Sequence, residues 1–450
     1  MEMTAREIAQ RLRERGHIAY FAGGSVRDMV RGLPAKDFDI ATDATPDVVQ
    51  KLFPRTYAVG AHFGVVVVVE NESNFEVATF RSDGAYLDHR HPVEVRFSSP
   101  EEDARRRDFT INGMFFDPAK NEVIDFVGGR ADLERKIIRA IGDPAARFSE
   151  DRLRLLRAVR FATVLDFEID NATWEALLAN AASINEISAE RIREELLKIF
   201  LSPHRVRGWD LLDQSGLMRV VLPELEAMKG CLQPEQFHPE GDVFQHTRLM
   251  LELLPEAVSI PLVFSVLFHD VGKPVTASVD ETGRIRFNEH DRIGAAMTES
   301  IMERLRFSRA EIDAVVEMVR QHMVFKDVPK MRVAKLKRFM ARPTFTEELE
   351  LHRVDCASSH QMMDNYEFLL QKREEFANEP IIPPPLVRGD DLIALGMKPG
   401  PKFGEILEAV ETRQLEGALK EREEALDWVK REYLAQTKSK KKVRRSTRAR

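Results

Sequence analysis

Residues 20–42 read YFAGGSVRDMVRGLPAKDFDIAT, and this stretch decides the fold. An apolar strand runs into two adjacent glycines, a helix starts near Ser25, and a second strand follows that carries Asp37 and Asp39. Glycine tolerates the tight strand-to-helix turn, and the turn lets backbone N–H groups at the helix N-terminus approach an anion, with Arg27 in the first helical turn beside it. Alternate residues of a strand point to one face, so Asp37 and Asp39 are expected side by side. Two such carboxylates repel unless a cation lies between them, and divalent ions holding a nucleoside triphosphate are a common reason for the arrangement.

Outward from that core, residues 1–140 alternate helix and strand signals: a helix to Glu14, strands at 17–23, 38–42, 64–70, 75–81 and 93–97, and a helix at 46–53. The pattern predicts an α+β head with an apparently antiparallel sheet. From about residue 141, helical periodicity dominates. Breaks at 142–144, 201–206 and the proline-rich 379–386 divide the chain into a head (1–140), a helical neck (141–203), a helical body (204–378), a C-terminal helical segment (379–436) and a basic tail (437–450) without apolar periodicity, expected to be disordered.

A chain of 450 residues with 43% hydrophobic content supports several cores and reads as a soluble globular protein. Its formal charge of -7 argues against a uniformly basic surface, yet basic residues gather at 105–107, 152–160, 326–337 and in the tail, where nucleic acid phosphates would bind. Cys231 and Cys356 form neither a disulfide framework nor a zinc spacing, so a reducing cytoplasm is the expected home. No secretory signal is expected, and the longest apolar run, at 65–69, is too short to cross a membrane.

The stretch EDRLRLLRAVR (150–160) places Asp151, Arg154, Arg157 and Arg160 three apart, sweeping around about half of one helix. If Asp151 and Arg154 face a base, the carboxylate accepts from an exocyclic amine and the guanidinium donates to a ring nitrogen. Cytosine and adenine satisfy both groups; guanine and uracil oppose donor to donor and are rejected. Arg157 and Arg160 remain for phosphate contacts or for orienting the pair. In RRRDFTING (106–113 with Arg105 before it), Arg107 is suited to triphosphate charge.

GGSVRD (23–28), KDFDIATDATP (36–46), RRDFTING (106–113), DFVGGRADL (125–133), EDRLRLLRAVRFA (150–162) and SAERIREELLKIF (188–200), in that order, resemble the successive motifs of the bacterial-type tRNA nucleotidyltransferase and poly(A) polymerase family. The resemblance implies a polymerase beta-like catalytic head with a mixed sheet, and template-independent addition of C and A to the tRNA 3′ end from CTP and ATP. It assigns Asp37 and Asp39 to magnesium and catalysis, with Glu76 a candidate third carboxylate. Nucleotide binding falls to Gly24, Arg27, Arg107, Asp151, Arg154, Arg157 and Arg160. The segment FRSDGAYLDHRHPVEVRF (80–97) resembles the loop of CCA- and A-adding members that switches the pocket from CTP to ATP, and no arginine-rich segment typical of bacterial poly(A) polymerases is present. Alternatives within the family are A-only addition and poly(A) synthesis; a further one makes the chain an HD phosphohydrolase whose head acts only in RNA binding.

A second constellation follows. FQHTRLM, LFHDVGKP, FNEHDRIGA, RQHMVF and HRVDCAS resemble the HD metal-dependent phosphohydrolases, implying His246, His269, Asp270 and Asp355 as ligands of a divalent transition metal, His290 and His322 at a second metal or phosphate, and Lys273 on substrate phosphate. The C-terminal helices and tail are expected to touch tRNA. No membrane and no obligate protein partner are expected.

Overall fold

The computed structural model describes residues 1–35, 37–57, 64–83, 95–236, 238–377 and 380–434. Lys36, most of the 80–97 loop, the start of the 379–386 break and the basic tail therefore lie outside the described residues.

The architecture is α+β, with a sheet-containing head followed by helices. Strands β1 (Ala19–Ala22), β2 (Asp39–Thr42), β3 (Thr56–Tyr57), β4 (Val65–Glu70) and β5 (Ser73–Thr79) are joined by β6 (Arg81–Asp83), β7 (Val95–Phe97), β8 (Phe115–Asp117) and β9 (Glu122–Ile124). Seven of them form one sheet in the order β3-β4-β5-β2-β1-β8-β9, while β6 and β7 pair separately. The sheet is mixed rather than antiparallel, because β2 and β5 run parallel. Two strands separated by a helix and a hairpin can meet in this way, a topology that strand signals alone do not specify.

Side-chain alternation gives the sheet two different faces. Phe21, Ile40, Phe75 and Val77 pack with Ala5, Ile8 and Leu12 of helix Glu2–Glu14 in the main core. Ala22, Ala41, Phe80 and Phe115 lie on the other side in a smaller cluster with Ala104. Asp39 and Glu76 belong to that second face: Ala22 pairs with Asp39 across β1 and β2, and Ile40 pairs with Val77 across β2 and β5, which sets Glu76 beside Asp39.

Helix Leu153–Leu165 meets the head where Phe161 packs edge-on against Phe109. Its Leu155, Leu156, Ala158, Val159 and Ala162 are fully buried, and the same core continues into the body as far as Val354. Two smaller cores follow, one around Phe325, Phe339 and Leu369 and one around Leu392, Ile406 and Val429. No helix among the described residues is long and apolar enough to cross a membrane.

Candidate active site

Head and neck enclose a cleft of about 590 Å³ lined by Gly23, Gly24, Arg27, Asp39, Glu76, Arg107, Asp151, Arg154, Arg157, Arg160 and Arg191, among others. At its floor Gly23 has φ 74° and precedes helix Gly24–Val30, whose N-cap has no side-chain partner, so its first N–H groups are open to an anion. A Cβ on Gly23 would stand 3.3 Å from Asp39 Oδ2 and 3.8 Å from Arg107 Nη1. The turn therefore runs close beside Asp39, where a side chain at position 23 would press on the carboxylate.

Asp39 is exposed on the cleft wall, yet the surrounding protein strips part of its hydration. That desolvation and the nearby Glu76 push its carboxyl up to about 6; Arg107 opposes the shift and Asp37 adds to it. Asp37 stands just ahead of β2, which begins at Asp39, so of the two acids expected on the strand only Asp39 lies within it; both are exposed, with buried Phe38 between them. The carboxylate that the sheet does align with Asp39 is Glu76. Carboxylates repelling one another in an open cleft fit a hard, oxygen-preferring divalent cation.

The arginines are held by specific acids. Arg107 donates through Nε and Nη2 to Asp103 Oδ2 at 3.2 and 3.1 Å and stacks over Phe115. Burial alone would raise the Asp103 carboxyl, but Arg106 and Arg107 hold it below the usual carboxylate range. Arg27 donates to Asp28 at 2.9 Å and to the Asn112 side chain at 3.1 Å. Arg157 pairs with buried Asp108, and Arg160 Nε lies 2.9 Å from Glu195 while its guanidinium stacks on Phe161. Desolvation, partly offset by Glu195, brings Arg160 down to about 10.

The stretch 150–160 is not one helix. Helix Pro144–Glu150 ends there, Asp151 adopts an extended conformation (φ -138°, ψ 105°), and the next helix begins at Leu153. Asp151 Oδ1 accepts from the Leu153 amide at 3.0 Å, and its Oδ2 accepts from Arg191 at 2.8 Å. Arg154 pairs instead with Glu150 at 2.6 Å and donates to the carbonyls of Arg147 and Arg106. Asp151, Arg154, Arg157 and Arg160 all line the cleft, with Asp151 held by Arg191 and Arg154 by Glu150. Arg191 was within the quoted segment 188–200, but its helical spacing alone did not mark it as a cleft residue; Glu195 and Asp103, which hold Arg160 and Arg107 from behind the lining, were likewise not marked.

The histidine constellation assembles about its aspartates. His246 Nε2 lies 3.1 Å from Asp355, and Asp270 is 3.1 Å from His269, 2.6 Å from Lys273, 3.6 Å from His290 and 3.8 Å from His322. The ligand atoms of His246, His269 and Asp270 fall within 4.8 Å of one another, as do those of Asp270, His290 and His322. Burial would raise Asp270, but His269 and Lys273 hold it well below the usual range. Burial drives His322 down to about 4, whereas His246, despite its burial, is pushed up to about 9 by Asp355 and Glu240. His269 Nε2 faces Asp270 Oδ2 at 3.1 Å without good hydrogen-bond geometry. Imidazole nitrogens and carboxylate oxygens converging in a buried cluster suit a divalent cation. Glu240 and His238, at the edge of this cluster, carried no signal that sequence spacing could reveal.

Comparison with known proteins agrees with this geometry. Residues 19–139 match the Poly A polymerase head domain, 166–229 the "Probable RNA and SrmB- binding site of polymerase A", and 292–429 tRNA nucleotidyltransferase domain 2. The chain is 45% identical over 211 residues to the CCA-adding enzyme of Geobacillus thermodenitrificans, covering 47% of this chain and 52% of that protein. It is 43% identical over 206 residues to the CCA-adding enzyme of Streptococcus mutans, covering 46% and 51%. The chain thus spans about half the length of the curated relatives it matches. The crystal structure of the Bacillus stearothermophilus CCA-adding enzyme in complex with CTP superposes with a TM-score of 0.74 at 27% identity, covering 97% of this chain and 98% of that one. The Thermotoga maritima CCA-adding enzyme complexed with tRNA shares the fold, with a TM-score of 0.59 at 20% identity over 95% and 94%. Head, neck and cleft together have the fold of the Bacillus stearothermophilus CCA-adding enzyme, and over about half of its length the chain is similar in sequence to CCA-adding enzymes.

Proposed function

We propose that the protein is a CCA-adding tRNA nucleotidyltransferase that uses CTP, ATP and magnesium, works in the cytoplasm, and takes tRNA as primer. The observation that carries this reading is the single cleft in which Asp39 and Glu76 face Arg107, Asp151 and Arg154. In this reading Asp37 and Asp39 hold magnesium, which when bound neutralises triphosphate charge and favours ionisation of the primer 3′-hydroxyl. The backbone at Gly23 and Gly24, with Arg27 and Arg107, receives the phosphates. Asp151 accepts from the exocyclic amine of C or A: both its oxygens already accept one bond, and each retains a lone pair. Arg154 spends three of its donors on Glu150 and two carbonyls, which leaves two of a guanidinium's five for the base. Arg157 and Arg160, anchored on Asp108 and Glu195, add positive potential toward the phosphates. The functional units are a head over 1–140, a neck over 141–203, a body over 204–378 and a tRNA-contacting segment over 379–436.

Three tRNA transcripts, ending before CCA, after C and after CC, test this when offered CTP and ATP separately and together. Completion of all three supports full CCA addition. Extension of the CC-ended transcript alone, by one A, would replace it with A-only addition, and long A tails would replace it with poly(A) synthesis.

The buried histidine and aspartate cluster favours a second activity on the same chain, a metal-dependent phosphohydrolase with His246, His269, Asp270 and Asp355 around a divalent transition metal, His290 and His322 at a second position, and Lys273 on the substrate phosphate. His269→Ala should abolish metal-dependent hydrolysis of a 2′,3′-cyclic phosphate to its monoester and leave nucleotide addition intact. Unchanged ring opening in that variant would remove this reading.

A further inference from the structure

The histidine cluster has an outer layer that its expected ligands do not use. Residues 230–231 meet 242–243 at the start of helix Val243–Leu253: the Gly230 amide donates to Asp242 Oδ2 at 2.7 Å, and the Val243 amide donates to the Cys231 carbonyl at 3.1 Å. Just ahead of this junction, Glu240 meets His246. Glu240 Oε1 lies 2.7 Å from His246 Nδ1 and 2.8 Å from His238 Nδ1, and the two rings meet edge to face with centroids 5.0 Å apart. The Glu240 side chain retains 5% of its accessibility, and its Oε2 has no hydrogen-bond partner. Burying a carboxylate is costly unless its neighbours compensate, and here the neighbours are the two imidazoles.

His246 therefore has carboxylates at both ring nitrogens, Glu240 at Nδ1 and Asp355 at Nε2. Such a ring either carries two protons or keeps one and offers the other nitrogen as a lone pair. A cation bound on the Asp355 side needs the lone pair on Nε2, and an ionised Glu240, which can only accept, retains the proton on Nδ1. Ser358 Oγ, 3.4 Å from Nδ1, can donate as well as accept and so cannot make that choice.

We infer that Glu240 is a positioning residue of the cluster: it holds the His246 proton on Nδ1 and aims Nε2 at a divalent cation shared with Asp355, His269 and Asp270, while His238 steadies the carboxylate. The inference rests on the reading of this cluster as a metal centre. It excludes a cation bound between His238, Glu240 and His246, whose ligand atoms also lie close together, because that site would need the Nδ1 lone pair.

The test is cobalt(II) titration of the full chain, followed by calorimetry and by the visible absorption of the bound ion, on an Asp39→Ala background that silences the head site. The parent should bind, and His269→Ala should abolish binding. Glu240→Ala should weaken affinity about 10- to 100-fold, the usual effect of losing such an outer partner. Glu240→Gln, which keeps an acceptor oxygen without its charge, should fall between the two. Affinity unchanged in both Glu240 variants, even with a lowered unfolding temperature, would reduce Glu240 to a structural role and overturn the inference. Loss of one cobalt equivalent with the remainder bound at full strength would make Glu240 a ligand and overturn it equally. Should Glu240→Ala fail to fold, Glu240→Gln decides alone by whether its affinity drops. If the parent itself binds no cobalt, or His269→Ala binds as well as the parent, the metal-centre reading fails first and is recognised as that failure.

Discussion

Arg157 Nε donates to Asp108 Oδ2 at 2.8 Å, with Nη2 on the same oxygen, and this pair ties the neck helix to the head at the edge of the cleft. Asp108 also accepts from Asn112 at 3.1 Å and from its neighbouring amide at 2.8 Å. Burial alone would raise its carboxyl, but Arg157 and these hydrogen bonds hold it far below the usual carboxylate range.

A depressed carboxyl contributes stability above its unfolded pKa of about 4 and loses it as pH falls toward the folded value. The protein should therefore lose stability steeply below about pH 4, and Asp108→Asn should flatten that part of the profile. At pH 7 the variant should be less stable by about 2–4 kcal/mol, toward the lower end for a broken buried pair because Arg157 retains some access to water. Denaturant unfolding at pH 7 and pH 3 measures both; an identical pH slope in the variant would refute the assignment.

Arg191 clamps Asp151 from the helix Ala189–Phe200. Arg191→Ala and Asp151→Ala should each reduce discrimination of CTP against UTP by about 10- to 100-fold, the scale of one mismatched polar contact. The ratio of kcat/KM values reports this, with the KM for CTP changed less than the ratio. Discrimination retained in Asp151→Ala would remove the templating role.

Asp39→Ala should abolish nucleotide incorporation at any magnesium concentration. Glu76→Gln should preserve it while raising the magnesium needed for half-maximal rate by about tenfold, since a hard cation loses one charged oxygen nearby. A magnesium titration of primer extension separates the two, and an unchanged requirement in Glu76→Gln would make Glu76 only an electrostatic neighbour.

Gly23→Ala should cost about 1–3 kcal/mol in backbone strain, because φ 74° with ψ -140° belongs to glycine. Its methyl group would also press on Asp39. Incorporation should fall by at least tenfold while far-UV circular dichroism stays native. Normal activity in this variant would mean that the turn is not held as the structure shows.

Local chemistry was legible in the chain itself. Glycines that permit positive φ, alternating strand residues and an acid-to-arginine run depend on neighbours within a few positions, so the strand-turn-helix at 20–42, the helical neck and the candidate carboxylates could be read directly. The histidines of the body were legible as residue types for the same reason.

Tertiary structure decided which groups meet. The parallel pairing of β2 with β5 puts Glu76 beside Asp39, although the two are far apart in sequence and Asp37 is the nearer acid. A break between two helices lets Asp151 meet Arg191, 40 residues away, and Glu240 comes to His246. Hydrogen bonds and ion pairs act over about 3 Å in space, and chain separation does not encode that distance: residue types and local periodicity come from the sequence, whereas partners come from the register of the sheet and the packing of the helices.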